Sequence, residues 1–315
     1  TFMFYQRGFT YLDFGVGRSL FQYGYLGVDL FFIISGFVIA LSAEGRTAWK
    51  FLISRLARLY PLFWISVSIT SFFLLFGGNW ISSEVTASRY LAGLTMIPGL
   101  FNQIVVDGSY WSLEVELKFY TFIFIIIALG LFKKLESITN IITIGLVVAT
   151  IFLPTHLNWI ANFMAGIIFY KIYTEGLTKT RILGLFTLLS INLYYVIYQI
   201  TDLELGYKTD FNPWIIGLHI CIFYGIFILI ALNKLVLGNS KILNLLGLLT
   251  YPIYLLHQQI GQIIFKIYEY LGIPLYLAFI AVLTFILGMA YVIHTLFEEK
   301  GRKIITSILN KIDQI

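Results

Sequence analysis

YWSLEVELKFYTFIFIIIALGLF, residues 110–132, joins a charged opening to a stretch without charge. From Phe122 to Phe132 no side chain is polar, so a helix here would leave no face for water and belongs in a bilayer. A membrane-spanning β-strand would instead alternate polar and apolar residues over about ten positions. The opening is the reverse case. Glu114, Glu116 and Lys118 stand where charge is costly, so each requires a partner or a role.

The rest of the chain shares this character. Of 315 residues, 59% are hydrophobic and only 12% charged, with a mean hydropathy of +0.87, which places the protein among integral membrane proteins. The expected fold is all-α, a polytopic transmembrane helix bundle. Nine spans are predicted, at residues 25–41, 59–76, 111–132, 138–153, 159–173, 183–200, 214–232, 243–268 and 274–297. The single cysteine, Cys221, excludes an internal disulfide framework or a Cys-rich metal site and reads as a packing residue. No metal site and no internal repeat is evident.

Basic residues orient the spans, because Lys- and Arg-rich loops stay on the cytoplasmic side. Arg46, Lys50, Arg55 and Arg58 follow the first span, whereas residues 77–110 carry only Arg89. Lys133 and Lys134 are inside, the bend at 154–158 outside, and Lys171, Lys179 and Arg181 inside. Asp202, Glu204 and Asp210 fall outside, Lys234 and Lys241 inside, and the tail with Lys300, Arg302, Lys303 and Lys311 inside. The net charge of +5 is therefore a topological signal and needs no nucleic-acid partner. Residues 1–24 lie outside by the same alternation, so a cytoplasmic amino terminus asks for a tenth span upstream of Thr1. The apolar piece RYLAGLTMIPGLF, residues 89–101, is too short to cross and is read as interfacial or re-entrant.

Four segments carry candidate chemistry. GYLGVDLFFIISGF, residues 24–37, brings Asp29 into the membrane among glycines that permit close helix approach; Asp29 is either a capping carboxylate or a functional acid. RLARLYPLFW, residues 55–64, sets Arg55 and Arg58 on one helical face. They serve either as anchors with an aromatic belt of Tyr60 and Trp64, or as a chelate for phosphates. In the opening segment, Glu114 and Lys118 are four apart and can neutralise each other, while Glu116 lies roughly 200° away on the face of Ser112 and Tyr120. Glu116 is then either a buried structural acid or a carboxylate that orients a histidine or binds a polar acceptor. TYPIYLLHQQ, residues 250–259, holds His257, read equally as a packed residue or as a catalytic or acceptor-binding one. His219 and His294 lack polar company, and His156 sits in an outer bend.

In this order the segments resemble the acyltransferase-3 family of multi-span membrane acyltransferases. The matching patterns are GYLGVDLFFIISGF, RLARLYPLFW, the tryptophan motif from Trp111 to Tyr120, TYPIYLLH and FEEKGRK from Phe297. The resemblance covers nearly the whole chain as one integral-membrane domain, residues 1–315. It implies an O-acyltransferase in a bacterial cytoplasmic (inner) membrane, moving an acyl group, commonly acetyl, from cytoplasmic acyl-CoA to a hydroxyl of a glycan or polysaccharide at the outer face. No permanently bound cofactor is implied; acyl-CoA is the donor substrate, and the bilayer and glycan are the partners. Arg55 and Arg58 match the arginines that hold the phosphate-bearing donor. Glu116, Asp29 and His257 are the catalytic candidates, with Trp111, Ser112 and Tyr120 supporting the acceptor site. Two departures stand out: Gly301 replaces a common proline, expected to affect only the helix exit, and the family's span with the catalytic histidine is expected upstream of Thr1. Two other classes fit the composition: a transporter of a solute or lipid-linked glycan using Asp29, Glu116 and His257 as a proton relay, and an inactive acyltransferase-like binding protein.

Overall fold

The computed structural model describes residues 22–81, 83–152, 157–207, 210–236, 238 and 240–312. His156 and residues 1–21 lie outside the described residues. Among those described there are helices and turns and no strand. The α-helices are α1 (Gly27–Ala43), α2 (Ala48–Gly77), α3 (Ala87–Gly93), α4 (Trp111–Ala128), α5 (Leu135–Phe152), α6 (Asn158–Glu175), α7 (Lys179–Tyr198), α8 (Ile200–Tyr207), α9 (Pro213–Ala231), α10 (Lys241–Tyr270), α11 (Leu275–Ile293) and α12 (Glu299–Ile312). Each of the nine predicted spans falls on one of the long helices.

Six helical segments are long and apolar enough to cross a membrane: Gln22–Ala43, Ala48–Ile81, Phe132–Phe152, Lys179–Leu205, Pro213–Ala231 and Leu275–Lys311. The other three long helices, α4, α6 and α10, are not among them. Each buries polar side chains: Glu116 on α4, Asn162 on α6, and Gln258, Gln259 and Gln262 on α10.

The chain divides into two compact units. One contains residues 16–51 and 118–238, hence α1, α5 to α9 and the later turns of α4. Its tightest contact is between α1 and α6. A Cβ at Gly36 would fall 2.3 Å from the Phe163 carbonyl oxygen, and one at Gly166 would fall 2.4 Å from that of Ile33. The predicted close approach thus occurs at Gly36, with Gly166 as its counterpart, whereas Gly24 and Gly27 have nothing within 4 Å of such an atom. Phe163 stacks on Phe119 at 4.1 Å between ring centres and packs on Phe32 at 5.0 Å. At the ends of α5, α6 and α7, Arg181 makes a bidentate pair with Glu136 (2.9 and 2.6 Å) and also bonds Glu175, which accepts from Lys171 at 2.6 Å. Cys221 is exposed on α9, so its thiol lies on the outer face of the helix and is not the packing residue expected.

The other unit contains residues 52–117 and those from 239 onward. Leu256, Ile260 and Phe265 of α10 and Ala278, Val282 and Ile286 of α11 form a core against which Ile65, Ile69 and Phe73 of α2 pack. Beyond α11 a π-helical turn, His294–Glu298, leads into α12. There His294 does have polar company, the carboxylate of Glu298. In α12, Ile304, Ile305, Ile308 and Leu309 share one arc, while Lys300, Arg302, Lys303 and Lys311 share the other, the pattern of an interfacial helix. A Cβ at Gly301 would fall 2.4 Å from Cβ of Pro61. Glycine here is therefore a packing requirement, beyond the effect on the helix exit expected from sequence.

Gly166→Val inserts branched atoms where two helix backbones touch, so it is expected to cost at least about 2 kcal/mol. Thermal melting of the detergent-solubilised protein should show a clear drop, against little change for Gly27→Ala. Equal melting of Gly166→Val and wild type would refute the contact.

Candidate functional site

Residues 83–110 run back alongside α2, and they build the site. The side chains of α2 trace their course. The Tyr90 hydroxyl meets Ser68 at 3.0 Å, Trp64 Nε1 donates to the Leu94 carbonyl at 2.9 Å, and the Tyr60 hydroxyl donates to the Thr95 carbonyl at 3.0 Å. From Gly77 to Tyr60 the helix falls about 25 Å at 1.5 Å per residue. Tyr60 and Trp64 therefore do more than the belt expected of them: they satisfy carbonyls of the loop that runs back along α2. Met96, 2% exposed, adopts a left-handed backbone (φ +68°) where the segment reverses.

Arg89 fastens the descending and returning arms together. Its Nε donates to the Val105 carbonyl at 3.3 Å, Nη2 to Val105 and Val106 at 2.7 and 3.3 Å, and Nη1 to Ser83 Oγ and the Glu84 carbonyl. The one basic residue among residues 77–110 is thus buried for a structural reason. The next residue after Val106 completes the strap. Asp107, fully buried, accepts from the Ser109 backbone and hydroxyl (both 2.8 Å) on Oδ1, and from the Gln259 backbone N–H (3.0 Å) on Oδ2. It caps the turn that starts α4 and ties it to α10.

This strap sets the tryptophan motif against TYPIYLLH. The Tyr254 hydroxyl donates to the Ser109 carbonyl at 2.5 Å, which leaves Ser112 Oγ, also at 2.5 Å, to donate to the phenol oxygen. The Tyr110 hydroxyl donates to the Leu255 carbonyl at 2.9 Å. His257 Nδ1 lies 2.7 Å from the Tyr254 carbonyl; that nitrogen must carry a proton to donate, so a neutral ring holds its lone pair on Nε2. One turn along α4 from Ser112, Glu116 is buried and near enough for its charge to act on Tyr254. Glu114 is half-buried and Lys118 exposed, which matches the expected division between the two glutamates.

The remaining candidates separate. Ser112, Glu116, His257, Arg55 and Arg58 all fall in the unit built on α2 and α10. Arg55 is buried, with Nε 3.4 Å from Ser54 Oγ, whereas Arg58 is exposed. Trp111 is exposed. Tyr120 is buried against Phe51 (6.4 Å between ring centres) and belongs to the other unit. Asp29 also belongs there, its Oδ1 accepting from Asn158 Nδ2 at 3.0 Å and Asn162 Nδ2 at 2.7 Å. His219 bonds its own helix through the Ile215 carbonyl and stacks on Tyr23. Sequence reasoning missed Asp107, Arg89 and Tyr254. The placement of Asp107 two residues before Ser109, ahead of a helix start, was its only local signal.

Burial raises the Asp107 carboxyl from 3.8 to about 6, against the opposing pull of its three hydrogen bonds and of Arg89. A folded-state value above the unfolded one means that the folded protein holds this proton more tightly. The stabilisation is complete below 3.8 and lost as pH rises through about 6. The melting-temperature advantage of wild type over Asp107→Asn should therefore shrink between about pH 4 and 6 and be flat above pH 7. A constant difference across that window would refute the raised value.

Comparison with known proteins gives a consistent result. The acyltransferase-3 family profile, described as an acyltransferase domain, matches residues 1–294. The chain is 24% identical over 275 residues to ORF330 of Acidianus two-tailed virus, a protein named as an acetyltransferase, covering 81% of this chain and 78% of that one. It is 31% identical over 108 residues to the exopolysaccharide production protein ExoZ of Rhizobium meliloti (strain 1021), covering 32% of this chain and 33% of that one. No solved structure matches. With the family pattern spanning 294 of 315 residues, the chain belongs to the acyltransferase-3 family.

Proposed function

We propose that the protein is a membrane O-acyltransferase that moves an acyl group, in the first instance acetyl, from cytoplasmic acyl-CoA to a hydroxyl of a glycan or polysaccharide at the outer face. One observation carries the reading: Ser112, Glu116, Tyr254 and His257, drawn from two separate sequence motifs, meet in one unit. Family membership supplies the reaction class, and the name of ExoZ supports a polysaccharide context.

The chemistry follows from the groups present. The buried Arg55 and exposed Arg58 sit on one face at the start of α2, and guanidinium groups there bind donor phosphates from the inner surface. The acceptor hydroxyl gives its proton to an imidazole as its oxygen attacks the thioester carbonyl, and the thiolate of CoA leaves. Among the described residues, His257 is the histidine of this cluster, with Nε2 as its basic nitrogen. Glu116 stabilises the positive charge that develops on the imidazole or holds a neighbouring acceptor hydroxyl. Tyr254 and Ser112 fix the start of α4 relative to His257. Asp29, held by two amides in the other unit, positions its helix pair.

Glu116→Gln is expected to lower kcat for acyl transfer by at least about 100-fold with folding intact. Normal transfer would remove Glu116 from the site. His257→Gln should lose transfer to a similar degree; a retained rate would remove His257 from the role of base. Arg58→Ala should raise KM for acetyl-CoA about tenfold or more while leaving kcat near wild type. An unchanged KM would refute the cytoplasmic phosphate site.

A further inference from the structure

The two arms of residues 83–110, with the turn after α2, border an open cavity of about 620 Å³ that the reaction described above does not use. It lies within a single unit, between the turn after α2 and the two strands of chain that Arg89 joins. We propose that this cavity is the docking subsite for the acceptor, and that its ligand is an uncharged stretch of glycan. The inference rests on the acyltransferase reading for its purpose, though its chemistry stands on the lining residues.

Size and chemistry agree. The volume falls in the range of about 300–1,000 Å³ typical of small-ligand sites. Asn79, Glu84 and Gln103 line it, and their side chains make no hydrogen bond or ion pair among the described residues. Two amides and a carboxylate together offer donors and acceptors in pairs, the match for vicinal hydroxyls. Ile104, 68% exposed, adds an apolar wall for a sugar's C–H face.

Charge then narrows the ligand. A guanidinium has five N–H donors, and those of Arg89 are taken up by Ser83 Oγ and the Glu84, Val105 and Val106 carbonyls. Arg89 therefore builds the floor without offering N–H groups to a phosphate or carboxylate, and Glu84 repels both. The frame is rigid where it matters. Thr86 caps α3 by accepting from the Arg89 N–H at 3.2 Å, and Ser83 N donates to the Gly78 carbonyl at 3.0 Å. Arg89 also couples the floor electrostatically to Asp107, whose Oδ2 bonds Gln259, two residues from His257. A glycan docked here lies on the same strap that positions the reacting groups.

The test uses the full chain in nanodiscs, without acyl donor, and neutral gluco- and galacto-tetrasaccharides as probes in saturation-transfer NMR. Wild type should bind at least one of them. Asn79→Ala and Gln103→Ala should each weaken it about three- to tenfold, with acetyl-CoA binding unchanged. No binding by wild type, or unaltered binding by the double variant, overturns the proposal. Tighter binding of uronic-acid tetrasaccharides overturns the uncharged assignment. If the sugars bind and the variants weaken them but no acyl transfer occurs, the acyltransferase reading fails and the docking site stands. If transfer occurs and the double variant matches wild type in both transfer and sugar binding, the docking site fails and the reading stands.

Discussion

Irregular backbone that is buried must find its hydrogen bonds inside protein. Residues 83–110 meet this constraint through two buried charged side chains. Arg89 gathers carbonyls from both arms of the segment, and Asp107 gathers N–H groups from the start of α4 and from α10. Neither residue lies in the four segments with candidate chemistry. Yet Asp107 ties the turn before the tryptophan motif to the helix of the TYPIYLLH motif, and Arg89 joins the two arms that lead to it. A reaction that needs side chains from both motifs depends on this strap in the way that catalytic positioning depends on supporting contacts elsewhere.

Much of the fold was legible in the sequence because lipid imposes a simple rule. A helix surrounded by hydrocarbon must be apolar over a sufficient length, and stretches such as residues 122–132 satisfy that on every face. Helices α4, α6 and α10 were predicted as well, although they bury Glu116, Asn162 and three glutamines. The division between Glu114 and Glu116 also followed from helical geometry alone. The exposed, half-buried and buried classes of Lys118, Glu114 and Glu116 agree with it.

What escaped the sequence depends on contacts between distant residues. Residues 89–101 could be read as interfacial or re-entrant, whereas the bonds of Tyr60 to Thr95 and Trp64 to Leu94 show how far the segment runs along α2. Gly36 was visible as a permissive residue, but its counterpart Gly166 lies 130 positions away in an unremarkable apolar run. Gly301 was visible as a departure from a pattern; its contact with Pro61 was not. Tyr254 was one aromatic among 21 tyrosines until its hydroxyl was found between Ser109 and Ser112. Periodicity reports the face on which a residue sits, and it carries no information about which residue comes to meet it.

The arrangement of the site requires residues 83–110 to run back beside α2 and to return to the side they left. Its most direct test is labelling by a membrane-impermeant maleimide from each side of sealed vesicles, using single-cysteine variants made after Cys221→Ser. Asn79→Cys should react from one side only, and Met96→Cys, at the buried reversal, from neither until the protein is denatured. Reaction of Met96→Cys from the side opposite to Asn79→Cys would mean that the segment crosses the membrane instead of returning, and the arrangement of Asp107, Ser112 and His257 described here would be wrong.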